Sequence, residues 1–134
     1  MTAILETALY AENLEETAAF YEVVLGFARH VEVPGRHVFF RLENGMLLLF
    51  RPSVARRPPE PGARLLVPPH GATGAGHACF AASAAGIAAW RTRLEAAGVT
   101  IEADFDWPNG GRSIYFRDPA GNSLEFAEPL IWGY

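Results

Sequence analysis

The sequence has no lysine, one cysteine and no apolar run that approaches the roughly 18 residues of a membrane span. All 11 basic residues are arginine, set against 15 acidic ones, so the net charge is −4 and no basic footprint for a nucleic acid exists. The lone Cys79 forbids an internal disulfide and suits a reducing compartment. The opening Met1-Thr2-Ala3-Ile4-Leu5-Glu6 carries neither the basic stretch nor the apolar core of a secretion signal. The expectation is a cytoplasmic protein that engages neither nucleic acid nor membrane. Charge is sparse at 19%, while half of the 134 residues are apolar. That composition excludes a disordered chain and fits one domain, or two small modules sharing one core.

Two segments carry the helical period. From Asn13 to Leu25, Leu14, Ala18, Tyr21 and Leu25 form one apolar stripe. Asn13 with Glu16 reads as a capping box, and Gly26 as the stop. From Ala84 to Ala97 the stripe is Ile87, Trp90 and Leu94, and Gly98 ends it. Short β-like segments occupy Ile4–Tyr10, Arg36–Leu42, Met46–Phe50, Gly76–Ala82, Arg112–Arg117 and Ser123–Ala127, with weaker strands near Ala28–Val33 and Thr100–Phe105. The stretch 51–74 holds six prolines and four arginines and reads as a linker or lid loop.

The chain also matches itself. Gly35, Arg36, Phe40, Arg41, Gly45, Leu48 and Phe50 meet Gly111, Arg112, Phe116, Arg117, Gly121, Leu124 and Phe126 at a constant offset of 76. Glu6 lies 20 residues before Gly26, and His77 lies 21 before Gly98. This predicts an α+β fold of two βαβββ modules forming a curled mixed sheet around a concave cup, with the helices outside. The boundaries are 1–134 for a single domain: module one about 3–50, the linker about 51–74, module two about 75–128 and a tail at 129–134.

The repeat makes Glu6 equivalent to His77, and at offset 76 makes Leu49 equivalent to Glu125. Strand alternation turns Leu5 and Leu9 toward the helix and Glu6 toward the cup. His77, Cys79 and Glu125 likewise face the cup, with Phe80, Leu124 and Phe126 turned to the helix. Carboxylates on apolar strands are costly unless paired or bound to metal. Two carboxylates and one imidazole can hold a divalent cation and leave positions for water or substrate. Taken singly, each residue also has an ordinary reading, as a solvated strand end or a satisfied core histidine.

Four stretches carry a family resemblance: Asn13-Leu14-Glu15-Glu16-Thr17-Ala18-Ala19-Phe20-Tyr21 with Leu25-Gly26-Phe27; Gly76-His77-Ala78-Cys79-Phe80; Leu94-Glu95-Ala96-Ala97-Gly98-Val99; and Tyr115-Phe116-Arg117-Asp118-Pro119-Ala120-Gly121-Asn122-Ser123-Leu124-Glu125. Over nearly its whole length the chain resembles the vicinal oxygen chelate superfamily, the glyoxalase/bleomycin resistance/dioxygenase family. The resemblance implies metal ligands at Glu6, His77 and Glu125, with Leu49 where glyoxalases carry a fourth. It implies a divalent ion (zinc, manganese, iron, nickel or cobalt), a small-molecule substrate with vicinal oxygens, and a homodimer. Glu6 and Glu125 are the expected catalytic carboxylates. The set Glu, Leu, His, Glu matches neither the glyoxalase nor the extradiol dioxygenase pattern. Two carboxylates with one histidine make a hard site, which favours lyase or isomerase chemistry over dioxygenase chemistry; a non-catalytic drug-binding protein is the other alternative.

Several further residues carry expectations. Asp118-Pro119-Ala120-Gly121-Asn122 reads as a structural turn. Arg36 and Arg112, repeated at strand starts, read as structural, and Cys79 as a packing residue. His70 is a loop residue, or a base or extra ligand if the loop folds over the cup. Phe105, Trp107 and Tyr115 are pocket-lining or core aromatics, and His37 faces either way. The apolar tail 129–134 is expected to pack on a partner or over the cup.

Overall fold

The computed structural model describes all residues 1–134. They fall into two compact units, Met1–Gly74 and Ala75–Tyr134, each with its own four-stranded mixed sheet. All eight strands expected from the sequence form.

In the first unit, β1 (Glu6–Tyr10) leads to α1 (Leu14–Ala19), and the meander β2 (Ala28–Val33), β3 (His37–Leu42) and β4 (Gly45–Phe50) follows. The sheet order is β1-β4-β3-β2, with β1 parallel to β4. α1 is shorter than the predicted helix because its last turn widens: Phe20–Val24 is π-helical, and Leu25 N–H bonds Phe20 O at 3.3 Å. The expected capping box is also absent. The Asn13 side chain meets Glu16 Oε2 (3.1 Å) and Thr17 Oγ1 (3.3 Å) instead of a first-turn N–H. A short α2 (Pro52–Ala55) opens the proline-rich stretch, and Glu12 fastens its start through Ser53 and Arg51.

The second unit repeats the plan: β5 (His77–Ala81), α3 (Ala84–Ala96), β6 (Ala103–Asp106), β7 (Arg112–Arg117) and β8 (Ser123–Ala127), ordered β5-β8-β7-β6. Ser83 caps α3 by accepting from Gly86 N–H, and Gly98 ends it at φ +76°. Pro129–Trp132 then forms a single 3-10 turn.

Each helix covers one face of its sheet. Tyr21 of α1 packs on Phe40 at 5.6 Å between ring centroids, and cross-strand pairing sets Leu47, Val38, Leu49 and Leu9 on the same side. All five of these strand residues are buried. In the second unit Trp90 stacks on Phe126 at 4.4 Å, and Ile114, Phe116 and Leu124 share that buried face. Each such side chain removed from water contributes about 1.5–3 kcal/mol.

The registers correct one expectation. Leu49 pairs with Val38 and Leu9 and lies in the core beneath α1, fully buried. Its predicted counterpart Glu125 lies on the opposite face of its own sheet. The cause is the β3–β4 hairpin. Four residues lie between the paired Arg41 and Met46, whereas five lie between the equivalent pair Arg117 and Ser123. The offset of 76 therefore holds for β3 against β7 (Phe40 with Phe116) but becomes 77 for β4 against β8. Leu48, beside Ala8 and Phe39, is the true counterpart of Glu125, which sits beside Cys79 and Tyr115. Glu6, across from Met46, does correspond to His77, across from Ser123.

Candidate metal and substrate site

The far face of the second sheet, away from α3, gathers the chemistry. β8 puts Glu125 at its centre, flanked by Cys79 on β5 and Tyr115 on β7, with His77 one pair further along β5. Glu125 is 5% exposed, and no hydrogen-bond donor meets its Oε1. Its Oε2 lies 3.4 Å from His77 Nε2. A buried carboxylate oxygen without a partner is costly and rare in native proteins.

The imidazole is fixed from behind. His77 Nδ1 lies 2.9 Å from the carbonyl of Ser123, and a carbonyl only accepts, so Nδ1 carries the hydrogen. The neutral ring then directs the lone pair of Nε2 at the carboxylate, acceptor against acceptor, which calls for a cation between them or a second proton on the ring. A histidine that donates its other N–H to a backbone carbonyl is the usual orientation of a metal ligand. Donors about 2.1 Å from one tetrahedral ion lie roughly 3.4 Å apart, which matches the spacing here. His77 and Glu125 thus offer two donors at the spacing that ligands of one ion keep, where a catalytic site uses three. No group of three or more His, Cys, Asp and Glu side chains is arranged to hold one.

The turn before β8 holds this geometry in place. Asp118 Oδ1 accepts from the N–H groups of Ala120 (3.0 Å) and Asn122 (2.9 Å), and Gly121 takes φ +87°. Asn122 Oδ1 accepts from Gly76 N–H at 2.8 Å, next to His77, and Ser123 N–H bonds Gly76 O at 2.9 Å. The turn is structural, as its residue types suggest, yet it also sets where β5 begins.

Burial, with Glu125 alongside, pushes the Cys79 thiol up to about 12 and the Tyr115 phenol up to about 12. Both stay protonated at neutral pH; Cys79 is exposed on this face and is not the packing residue its sequence context suggested. Tyr115, Phe105 and Trp107 line this face. Arg112 lies elsewhere: it makes a two-pronged bond to Asp104, which Arg91 also holds, and this pulls the Asp104 carboxyl down to about 2.

Glu6 sits on the far face of the first sheet with Ala8 and Tyr10, exposed at the strand start. Sequence reasoning missed what shares that face. His37 stacks on Phe39 at 4.1 Å, and Phe50 packs edge-on to His70 at 4.4 Å. Burial, then Arg36, lowers the His37 pKa, and its buried Nδ1 has no partner. His70 returns from the proline-rich stretch to hydrogen-bond Tyr10 Oη through Nδ1 (2.7 Å) and Ala55 O through its own N–H (3.0 Å). The available signal for this cluster was the alternation of His37 and Phe39 along β3, with Phe50 at the end of β4.

A family model for the Glyoxalase/Bleomycin resistance protein/Dioxygenase superfamily matches residues 3–126, and the chain belongs to that superfamily. Among solved structures, it is similar to a lactoylglutathione lyase from Agrobacterium tumefaciens: 45% identity, 100% of this chain and 98% of that one, TM-score 0.93. A virulence protein from Salmonella typhimurium shares 26% identity over 96% and 97% of the two chains, at TM-score 0.68. A glyoxalase/bleomycin resistance protein/dioxygenase from Nocardioides shares 24% identity over 96% and 83%, at TM-score 0.72, a likeness of fold. A search of curated proteins gives no match. No helix is long and apolar enough to cross a membrane.

Proposed function

We propose that this protein is a metal-dependent, glyoxalase-like lyase or isomerase acting on a small substrate with vicinal oxygens. The observation that carries the reading is the His77–Glu125 pair: an oriented imidazole and a buried carboxylate with an unpartnered oxygen, 3.4 Å apart. The likeness to a lactoylglutathione lyase at 45% identity supports the reaction class. Glu6 is proposed as the third ligand, since it takes the place of His77 in the first module and projects from the face away from the helix.

When bound, a divalent ion supplies Lewis acidity to two substrate oxygens and stabilises negative charge that develops on them. His77, locked by the Ser123 carbonyl, holds one side of the site. Glu125 contributes charge and, through Oε1, a proton acceptor for a carbon acid beside a carbonyl; Glu6 is the second candidate base. The proton taken from one carbon is returned to its neighbour, so the step needs no oxidant. Burial of Glu125 among Cys79 and Tyr115 keeps bulk water from competing for that oxygen. We further propose a cytoplasmic homodimer.

Turnover of lactoylglutathione and of smaller 2-hydroxy thioesters tests this reading. The expected result is activity that a chelator abolishes and one equivalent of a divalent ion restores. Equal turnover in chelated and reloaded protein would remove the metal from the mechanism, and ligand binding without turnover in any metal form would favour a sequestering protein.

A further inference from the structure

The proline-rich stretch leaves the first module and returns to it. Arg57 N–H bonds Val54 O at 3.1 Å and His70 N–H bonds Ala55 O at 3.0 Å, so residues 56–69 form a loop whose ends meet at α2. Tyr10 Oη and His70 Nδ1, 2.7 Å apart, tie the far end to β1, and Glu12 ties the near end through Arg51 and Ser53. Between these anchors Leu65, Leu66 and Val67 stand in a row, 65%, 71% and 58% exposed. Contiguous apolar side chains left in water mark an interaction surface. Arg56, Arg57 and Arg64 are exposed beside them, and none takes part in an ion pair.

Charge in the first module is divided. Residues 51–74 hold four arginines and one glutamate, net +3, whereas residues 1–50 hold three arginines and seven glutamates, net −4. Glu15, Glu16 and Glu22 are exposed on α1 and its π-helical turn, together with Val23 at 71%, while Leu14, Ala18 and Tyr21 face the core. The helix thus presents carboxylates and an apolar side chain, the complement of the loop's guanidiniums and aliphatics. Glu12 joins the start of α1 to the root of the loop, so the two surfaces are neighbours and one twofold axis serves both. We propose that residues 56–69 dock on the acidic outer face of α1 in a second copy of this chain, each copy receiving the loop of the other. The inference rests on the homodimer reading and deepens it by naming the surface. Opposite charges set the register of the contact, and Leu65, Leu66 and Val67 supply its apolar area. An anionic lipid surface would attract the loop but repel the carboxylates beside its root.

Sedimentation velocity on the full-length protein tests this with two charge reversals, Arg57→Glu with Arg64→Glu on the loop and Glu15→Arg with Glu16→Arg on the helix. Each variant alone sets like charges together in both contacts, so its dimer dissociation constant should rise at least about 100-fold. Mixed one to one, the two variants should form a heterodimer about as tight as the wild-type dimer, because both contacts again join opposite charges. A variant that dimerises as the wild type does places the interface elsewhere; it overturns the inference and leaves the homodimer standing. Folded, monomeric variants that do not combine overturn it too, as does wild-type binding to phosphatidylserine vesicles that the loop variant loses. If a variant does not fold, the wild type decides. Salt raised from about 0.1 M to about 1 M shortens the screening length from about 10 Å to about 3 Å and should weaken the dimer at least about tenfold; an unchanged constant overturns the inference. A wild type that stays monomeric at every concentration removes the homodimer, and this inference falls with it.

Discussion

Glu125 carries an unpartnered buried oxygen, and its cost to stability is separable from its use. Glu125→Gln keeps the shape and removes the charge. In chelator the variant should melt at or above the wild-type temperature, because an uncompensated buried carboxylate has gone. With a divalent ion added, the wild type should gain stability and the variant should not, since only a species that binds the ion is stabilised by it. Differential scanning fluorimetry in the two conditions reads both effects; an equal metal-induced rise in the two proteins would exclude Glu125 as a ligand. Leu49 is the matching case in the first module. Leu49→Ala should cost about 2–5 kcal/mol in denaturant unfolding, as a core leucine does, with no change in metal uptake. The side-chain types and facing of His77 and Glu125 were legible in the sequence because strands alternate with a period of two. The facing of Leu49 was not, because one residue fewer in a hairpin turns every later side chain to the other face.

Hairpin length is decided by turn chemistry, which a gapless comparison of glycines cannot see. Gly121 occupies a left-handed turn position that Asp118 organises, whereas Gly45 is a strand residue whose absent Cβ would lie 2.7 Å from the Leu5 carbonyl oxygen. The strands and helix stops were legible because their apolar spacing is local; the π-helical turn after Ala19 and the return of His70 to Tyr10 depend on packing that no local spacing reports. The β8 turn also makes a prediction at this scale. Asn122→Ala removes the acceptor for Gly76 N–H and frees the start of β5, so divalent-ion affinity should fall roughly 10- to 100-fold, as losses behind a metal ligand do. An unchanged affinity by competition with a chromophoric chelator would confine Asn122 to the turn. On the helix side of β6, Asp104 titrates at about 2 because of Arg112 first. A depressed carboxyl adds stability that is present above its ordinary value of 3.8 and is lost as pH falls through about 2. Allowing for solvent screening, Asp104→Asn should lower unfolding stability at pH 6 by on the order of 1 kcal/mol, and the gap to wild type should close by pH 2.

At the scale of the whole molecule, duplication gives two modules with the same strand order and different content. The second places His77, Cys79, Tyr115 and Glu125 on its far face. The first places Glu6 among Tyr10, Phe39, Leu48 and Phe50 on its own. One module thus holds the polar His77–Glu125 pair proposed to take an ion, and the other an apolar, aromatic face with one carboxylate at its edge. Family and fold follow from the repeat and are matched over residues 3–126; the reaction depends on whether the His77–Glu125 pair takes up metal. The most direct measurement is the metal stoichiometry of the full-length protein, by native mass spectrometry after exposure to zinc, manganese, nickel and cobalt in turn and removal of excess. The account predicts one tightly held divalent ion per chain for at least one of these metals, lost in Glu125→Gln. A chain that returns metal-free from all four, or a variant that holds its ion as the wild type does, would contradict it.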